Sequence, residues 1–148
     1  MFDTSGLVKH YHTEVGSIKV QQIVNNPSNR IFISDLSIVE FVSSLAKKVR
    51  IGEIKTATFH TTRRRFFADI AAKKFHIVML TNKHGRSAVK LLVKHATRYA
   101  LRKLDALQLI IAIYLKSQKS LDYFVCADDK LDKVAKLEKI AFLNPELP

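Results

Sequence analysis

Four carboxylates stand where chemistry could be done with them: Asp3, Glu40, Asp105 and Asp128. They are far apart in the chain, yet each lies where a predicted helix begins or a predicted strand has just ended. Asp105 is the most telling, because it sits at the mouth of Leu104–Leu115, the most apolar run in the sequence. That run has twelve residues, well short of the roughly 20 a membrane span needs, so it reads as a buried central helix. Burying an ionised carboxylate there costs several kcal/mol unless something pairs with it. Carboxylates brought close together repel, and the repulsion calls for a counter-ion. Hard oxygen ligands select Mg²⁺ or Mn²⁺, and incomplete coordination leaves room for water and phosphate. The chemistry expected of such a group is metal-assisted hydrolysis of a phosphodiester.

Taken singly, each acid has a structural explanation. Ser37-x-x-Glu40 reads as a capping box, Asp105 and Asp128 suit an N-cap, and Asp3 could bind the amides of the turn that follows it. Four acids at one edge of a sheet are harder to explain that way. In an open parallel sheet, ligands bind beyond the carboxyl ends of the strands, where the next helices begin.

The elements that must position them follow from periodicity and punctuation. Phe2-Asp3 reads as the end of a short strand, with Thr4 or Ser5 capping a helix over residues 6–11. The brevity of that strand leaves open whether residues precede Met1. Ile18, Val20, Ile23 and Val24 mark a second helix, closed by the turn residues Asn25 to Asn29. Strands are expected over 30–34, 76–80, 123–127 and 140–143, rich in β-branched and aromatic residues. Helices are expected from about Ser37 to Arg50, Glu53 to Lys74, from Asn82 with a basic amphipathic pattern, and from Asp128 to Glu138. Strands apolar on both faces and alternating with helices predict a parallel sheet covered on each side. At 148 residues the chain is expected to form one domain, 1–148.

Charge points to the partner. The chain carries +12, but 16 basic residues between Lys47 and Lys103 face only Glu53 and Asp69, so that block holds +14 and the remainder −2. A polyanion is the expected partner, with nucleic acid ahead of an anionic membrane surface. Phe66 and Phe67, at helical spacing from Phe59, suit packing better than base stacking. His10 and His12 lack a third ligand and are expected at the surface. The single cysteine, Cys126, excludes an internal disulfide framework, favours a reducing, cytosolic setting and is expected to be buried and inert. Residues 1–5 show no basic segment followed by an apolar stretch, so no secretory leader is expected.

Four stretches together resemble a known family. Asp3-Thr4-Ser5-Gly6-Leu7-Val8-Lys9, Ile33-Ser34-Asp35-Leu36-Ser37-Ile38-Val39-Glu40, residues 101–109 around Leu104-Asp105-Ala106, and Phe124-Val125-Cys126-Ala127-Asp128-Asp129-Lys130-Leu131 look like the successive motifs of PIN-domain ribonucleases. More narrowly they resemble VapC-type toxins of toxin–antitoxin pairs. The resemblance implies a three-layer α/β/α sandwich on a five-stranded parallel sheet. It implies an acidic quartet at Asp3, Glu40, Asp105 and Asp128 holding Mg²⁺ or Mn²⁺, with Ser5 supporting the first carboxylate. Asp128 directly follows its strand and is the preferred fourth acid; Asp129 or Asp132 could reach the metal instead. Implied partners are RNA (tRNA and rRNA among the candidates), an antitoxin and a second copy of the chain, with cleavage leaving a 5′-phosphate and a 3′-hydroxyl. RNA contacts are expected from Arg63, Arg64, Arg65, Lys83, Arg86, Arg102 and Lys103. The alternatives are a catalytically weak RNA-binding module and a haloacid-dehalogenase-like phosphatase, which would need an Asp where Ser5 stands.

Overall fold

A computed structural model describes residues 1–147. Seven helices and four short strands follow one another as α1 (Thr4–Tyr11), α2 (Ser17–Asn25), β1 (Phe32–Ser34), α3 (Asp35–Arg50), α4 (Thr56–Ala71), β2 (His76–Val78), α5 (Asn82–Tyr99), α6 (Lys103–Ser117), β3 (Phe124–Val125), α7 (Asp129–Leu137) and β4 (Phe142–Leu143). The fold is α/β, as the alternation of patterns predicts. Every pairing is parallel: β1 with β2, and β3 with β4.

The expected five-stranded sheet is not what the structure has. Its strands form two separate pairs, and the first expected strand is reduced to one bridging residue, Phe2, paired in parallel with Val125. Hydrogen bonds run from Phe2 N–H to the Phe32 carbonyl at 2.8 Å, from Asp3 N–H to the Val125 carbonyl at 3.0 Å, and from Val125 N–H to the Met1 carbonyl at 2.8 Å. Phe2 thus lies between the two pairs and links them. Helix N-caps follow three of these segments closely: Asp3 caps α1 directly after Phe2, Ser34 ends β1 and caps α3, and Asp128 caps α7 soon after β3.

Alternate strand residues feed two apolar cores on opposite faces. Phe2, Ile31, Ile33 and Val125 join Leu7, Val20, Phe41, Leu45 and Phe66 in one, which α1 to α4 cover. Met1, Phe32, Phe124 and Cys126 join Leu91, Leu109, Ile111, Leu115 and Val134 in the other, which α5 to α7 cover. This period-two division places helices on both faces of the strand layer. Phe66 is fully buried, with its ring centroid 4.1 Å from that of Phe41, and joins α4 to α3. Phe67 is largely exposed.

Helix α6 is the apolar run of the sequence, buried at Ala106, Gln108–Ala112 and Leu115. A helix apolar on most sides is stable only when it is wrapped, and α5 packs along it. No helix among the described residues is long and apolar enough to cross a membrane.

Candidate active site

Asp3 reaches the edge of the strand layer because Phe2 is locked between β1 and β3. Its carboxylate caps α1: Oδ1 accepts the Ser5 backbone N–H at 3.1 Å, and Oδ2 accepts the Ser5 hydroxyl at 2.9 Å and the Cys126 thiol at 2.7 Å. The Ser5 hydroxyl in turn accepts the Ala127 N–H at 2.9 Å, which ties α1 to the end of β3. The cap is therefore Asp3 itself, not Thr4 or Ser5 as the sequence suggested. Gly6 permits this closeness, since a Cβ there would stand 2.9 Å from the Val125 carbonyl oxygen. Burial pushes the Asp3 carboxyl above its ordinary range; the bonds from Cys126 and Ser5 oppose that rise, and the charge of Glu40 adds to it.

Glu40 comes from the second turn of α3. The expected capping box does not form, because the N-cap is Ser34, whose hydroxyl accepts the Ser37 N–H at 3.2 Å. This places the helix start three residues earlier and leaves Glu40 free to reach across. Its Oε2 accepts the Thr4 hydroxyl at 2.7 Å and the Gln108 side-chain amide at 2.7 Å. Gln108 is buried, and it also accepts the Ser34 hydroxyl at 3.0 Å and donates to the Ser37 hydroxyl at 2.9 Å.

Asp105 is the third residue of α6, whose N-cap is Arg102, so the N-cap explanation of Asp105 fails. Burial raises its carboxyl above the ordinary range, the charge of Asp128 raises it further and that of Glu40 adds; Arg102 opposes. Asp128 caps α7, accepting the Lys130 N–H at 2.8 Å. Asp105 and Asp128 line one narrow crevice together with Tyr99, Arg102 and Lys130. Of the alternative acids, Asp129 accepts from the Asn144 amide at 2.8 Å, and Asp132 pairs with Lys136 at 2.6 Å through Oδ2 while its Oδ1 is buried without a hydrogen-bond partner among the described residues.

The electrostatic couplings thus join Asp3 to Glu40, Glu40 to Asp105 and Asp105 to Asp128. Among the described residues none of the four forms a salt bridge, although the chain has 25 Lys and Arg. A set of oxygen donors that repel one another and form no salt bridge suits a hard divalent ion. A tighter group of ligand-type side chains lies elsewhere: His12, Glu14 and Glu53 bring their ligand atoms within 4.8 Å of one another. Lysines already serve it, with Lys48 bonded to both Glu53 and Glu14 and Lys9 to Glu14 at 2.9 Å. His10, expected at the surface, is instead buried against Tyr11 and contacts Lys74 at 3.1 Å. Burial holds its imidazole down at about 4, with Lys74 contributing.

The basic block of the sequence is not one patch. Arg63, Arg64 and Arg65 ride on α4, over one core, with Arg65 stacked on Tyr11. Lys83 and Arg86 lie in the first turns of α5, over the other core, and Lys83 borders a groove with Ile77, Met79 and Tyr114. Arg102 borders the acidic crevice, and Lys103 opens α6 beside it.

Three residues of the site escape sequence reasoning. Gln108 carries a signal, as the one polar side chain between Ala106 and Ile113. Thr4 and Cys126 carry none that separates them from ordinary cap and core residues. A model of the family described as PIN domain matches residues 1–137. No curated protein matches the chain.

Proposed function

The chain belongs to the PIN domain family, and on that premise we propose that it is an Mg²⁺- or Mn²⁺-dependent endoribonuclease. PIN domains are in general metal-dependent nucleases that act on nucleic acids. The observation that carries the reading is that four carboxylates from four distant segments influence one another pairwise, Asp3 with Glu40, Glu40 with Asp105 and Asp105 with Asp128, and form no salt bridge among the described residues of a chain of +12 net charge.

Asp3, Glu40 and Asp105 would hold the ion, and Asp128 would orient the attacking water or a second ion. Bound there, the ion supplies a water of lowered pKa and neutralises charge on the phosphate. The chain's own part is positional. Ser5 and Cys126 fix Asp3 by hydrogen bonds, Asp128 stands at the N-terminus of α7 facing Asp105 across the crevice, and Arg102 and Lys130 flank it. Asp129, bonded to Asn144, steadies the start of α7. Arg63, Arg64, Arg65, Lys83, Arg86 and Lys103 offer further contacts to the RNA backbone.

The finer reading is a VapC-type toxin: one domain over 1–148, acting in the cytoplasm on an RNA such as tRNA or rRNA. It would form a homodimer and be held in check by an antitoxin segment seated at the acids. In that reading Phe2 stands for the central strand of a five-stranded sheet. The motif order and the basic block support it. Its test is incubation of the purified chain with a mixed RNA pool in Mg²⁺, Mn²⁺ or EDTA, beside Asp105→Asn. Cleavage that needs metal and is lost in the variant is expected. RNA binding without cleavage by either protein would replace the reading with that of a binding module.

A further inference from the structure

We infer that Gln108 is a positioning residue: it fixes Glu40 through Oε2 and so leaves Oε1 for the divalent ion. The inference rests on the reading that the four acids hold such an ion. Gln108 interrupts an otherwise apolar stretch of α6 and is only 2% exposed. A buried amide persists where its donors and acceptor are all engaged, and each of them here goes to a residue at the edge of the acid group. Its oxygen accepts from Ser34, the N-cap of α3, at 3.0 Å. One hydrogen goes to Ser37 at 2.9 Å and the other to Glu40 Oε2 at 2.7 Å. Thr4, in the first turn of α1, donates to the same oxygen at 2.7 Å. Among the described residues Oε1 receives no hydrogen bond. Two donors on one oxygen hold the carboxylate plane and present the other oxygen outward, as outer partners do for metal-ligating carboxylates.

The test is Mn²⁺ binding to the intact chain, read by electron paramagnetic resonance of the free ion, with apo thermal unfolding alongside. The proteins are wild type, Gln108→Met, Glu40→Gln and the double variant. Gln108→Met is expected to weaken Mn²⁺ binding by roughly 10- to 100-fold. In the Glu40→Gln background the same change is expected to add less than about twofold, because a residue acting through another is non-additive with it. If Gln108→Met does not fold, Gln108→Asn carries the same readout, since it keeps the buried amide but falls short of Glu40. Equal Mn²⁺ affinity in wild type and Gln108 variants would overturn the inference, as would losses that simply multiply in the double variant. Wild type that binds no Mn²⁺ through Glu40 would overturn the parent reading and this one with it.

Discussion

The thiol of Cys126 donates a hydrogen bond to Asp3 Oδ2 across 2.7 Å, joining residues 123 positions apart. Burial pushes the thiol pKa up, and the charge of Asp3 pushes it further, so the sulfur stays protonated and acts as a donor. Replacing it by Val leaves a buried carboxylate short of one partner. Cys126→Val is expected to lose about 1–3 kcal/mol of stability and most of the cleavage, whereas Cys126→Ser keeps a donor and stays close to wild type. Thermal unfolding and RNA cleavage of the two variants check this. The folded wild type should also resist thiol alkylation, and rapid labelling under native conditions would contradict the burial of the sulfur.

Burial, Asp128 and Glu40 all act against the charge of Asp105, with Arg102 opposing them. Asp105→Asn should therefore fold at least as stably as wild type without metal and yet not cleave. Adding Mg²⁺ at about 100 times its dissociation constant should stabilise wild type by roughly 2.7 kcal/mol, and the variant far less. A variant that unfolds on its own would show Asp105 to be structural.

Glu14 supplies a pH dependence of ordinary sign. Burial pushes its carboxyl up, but hydrogen bonds from Lys9 and Lys48 outweigh that and hold it below its usual 4.5. The unfolded chain then binds more protons over that window, so the stabilisation is full above about pH 4.5 and is lost as pH falls through the folded value. Glu14→Gln should melt lower than wild type at pH 7, by about 1.5–3 kcal/mol, because Lys9 is buried and keeps only Glu146. The gap should narrow on acidification. A gap constant from pH 7 to 3 would count against the ion pair as its cause.

Arg102 borders the acidic crevice, while Arg64 lies on α4, over the opposite core. Measured as binding to single-stranded RNA against salt, Arg102→Gln should reduce the slope of log K on log salt by about 0.7 and lower cleavage. Arg64→Gln should change cleavage much less. Equal effects would mean that the RNA path covers both helical layers.

Most helices and the place of each strand were readable in the sequence, because apolar periodicity in α5 and α6 and the turn residues 25–29 are local signals. The cap positions were not. Ser34 and Ser37 both look like N-caps, and only the pairing of β1 with β2 decides where the strand stops and α3 begins. The strands proved shorter than their apolar stretches, since pairing depends on partners distant in sequence. The four acids were visible by type and spacing. Gln108 and Cys126 were not, because their roles arise from contacts spanning 68 and 123 residues, which no local pattern records.

Those spans bear on how the protein is made. Asp3 is made 123 residues before its thiol partner, and Asp128 follows later still. The two apolar cores must both be in place before α1, α3, α6 and α7 can bring their acids together. During translation the four acids therefore stay apart until the segment carrying Asp128 has emerged. An unfinished copy that stops short of Asp128 therefore lacks the assembled acid group.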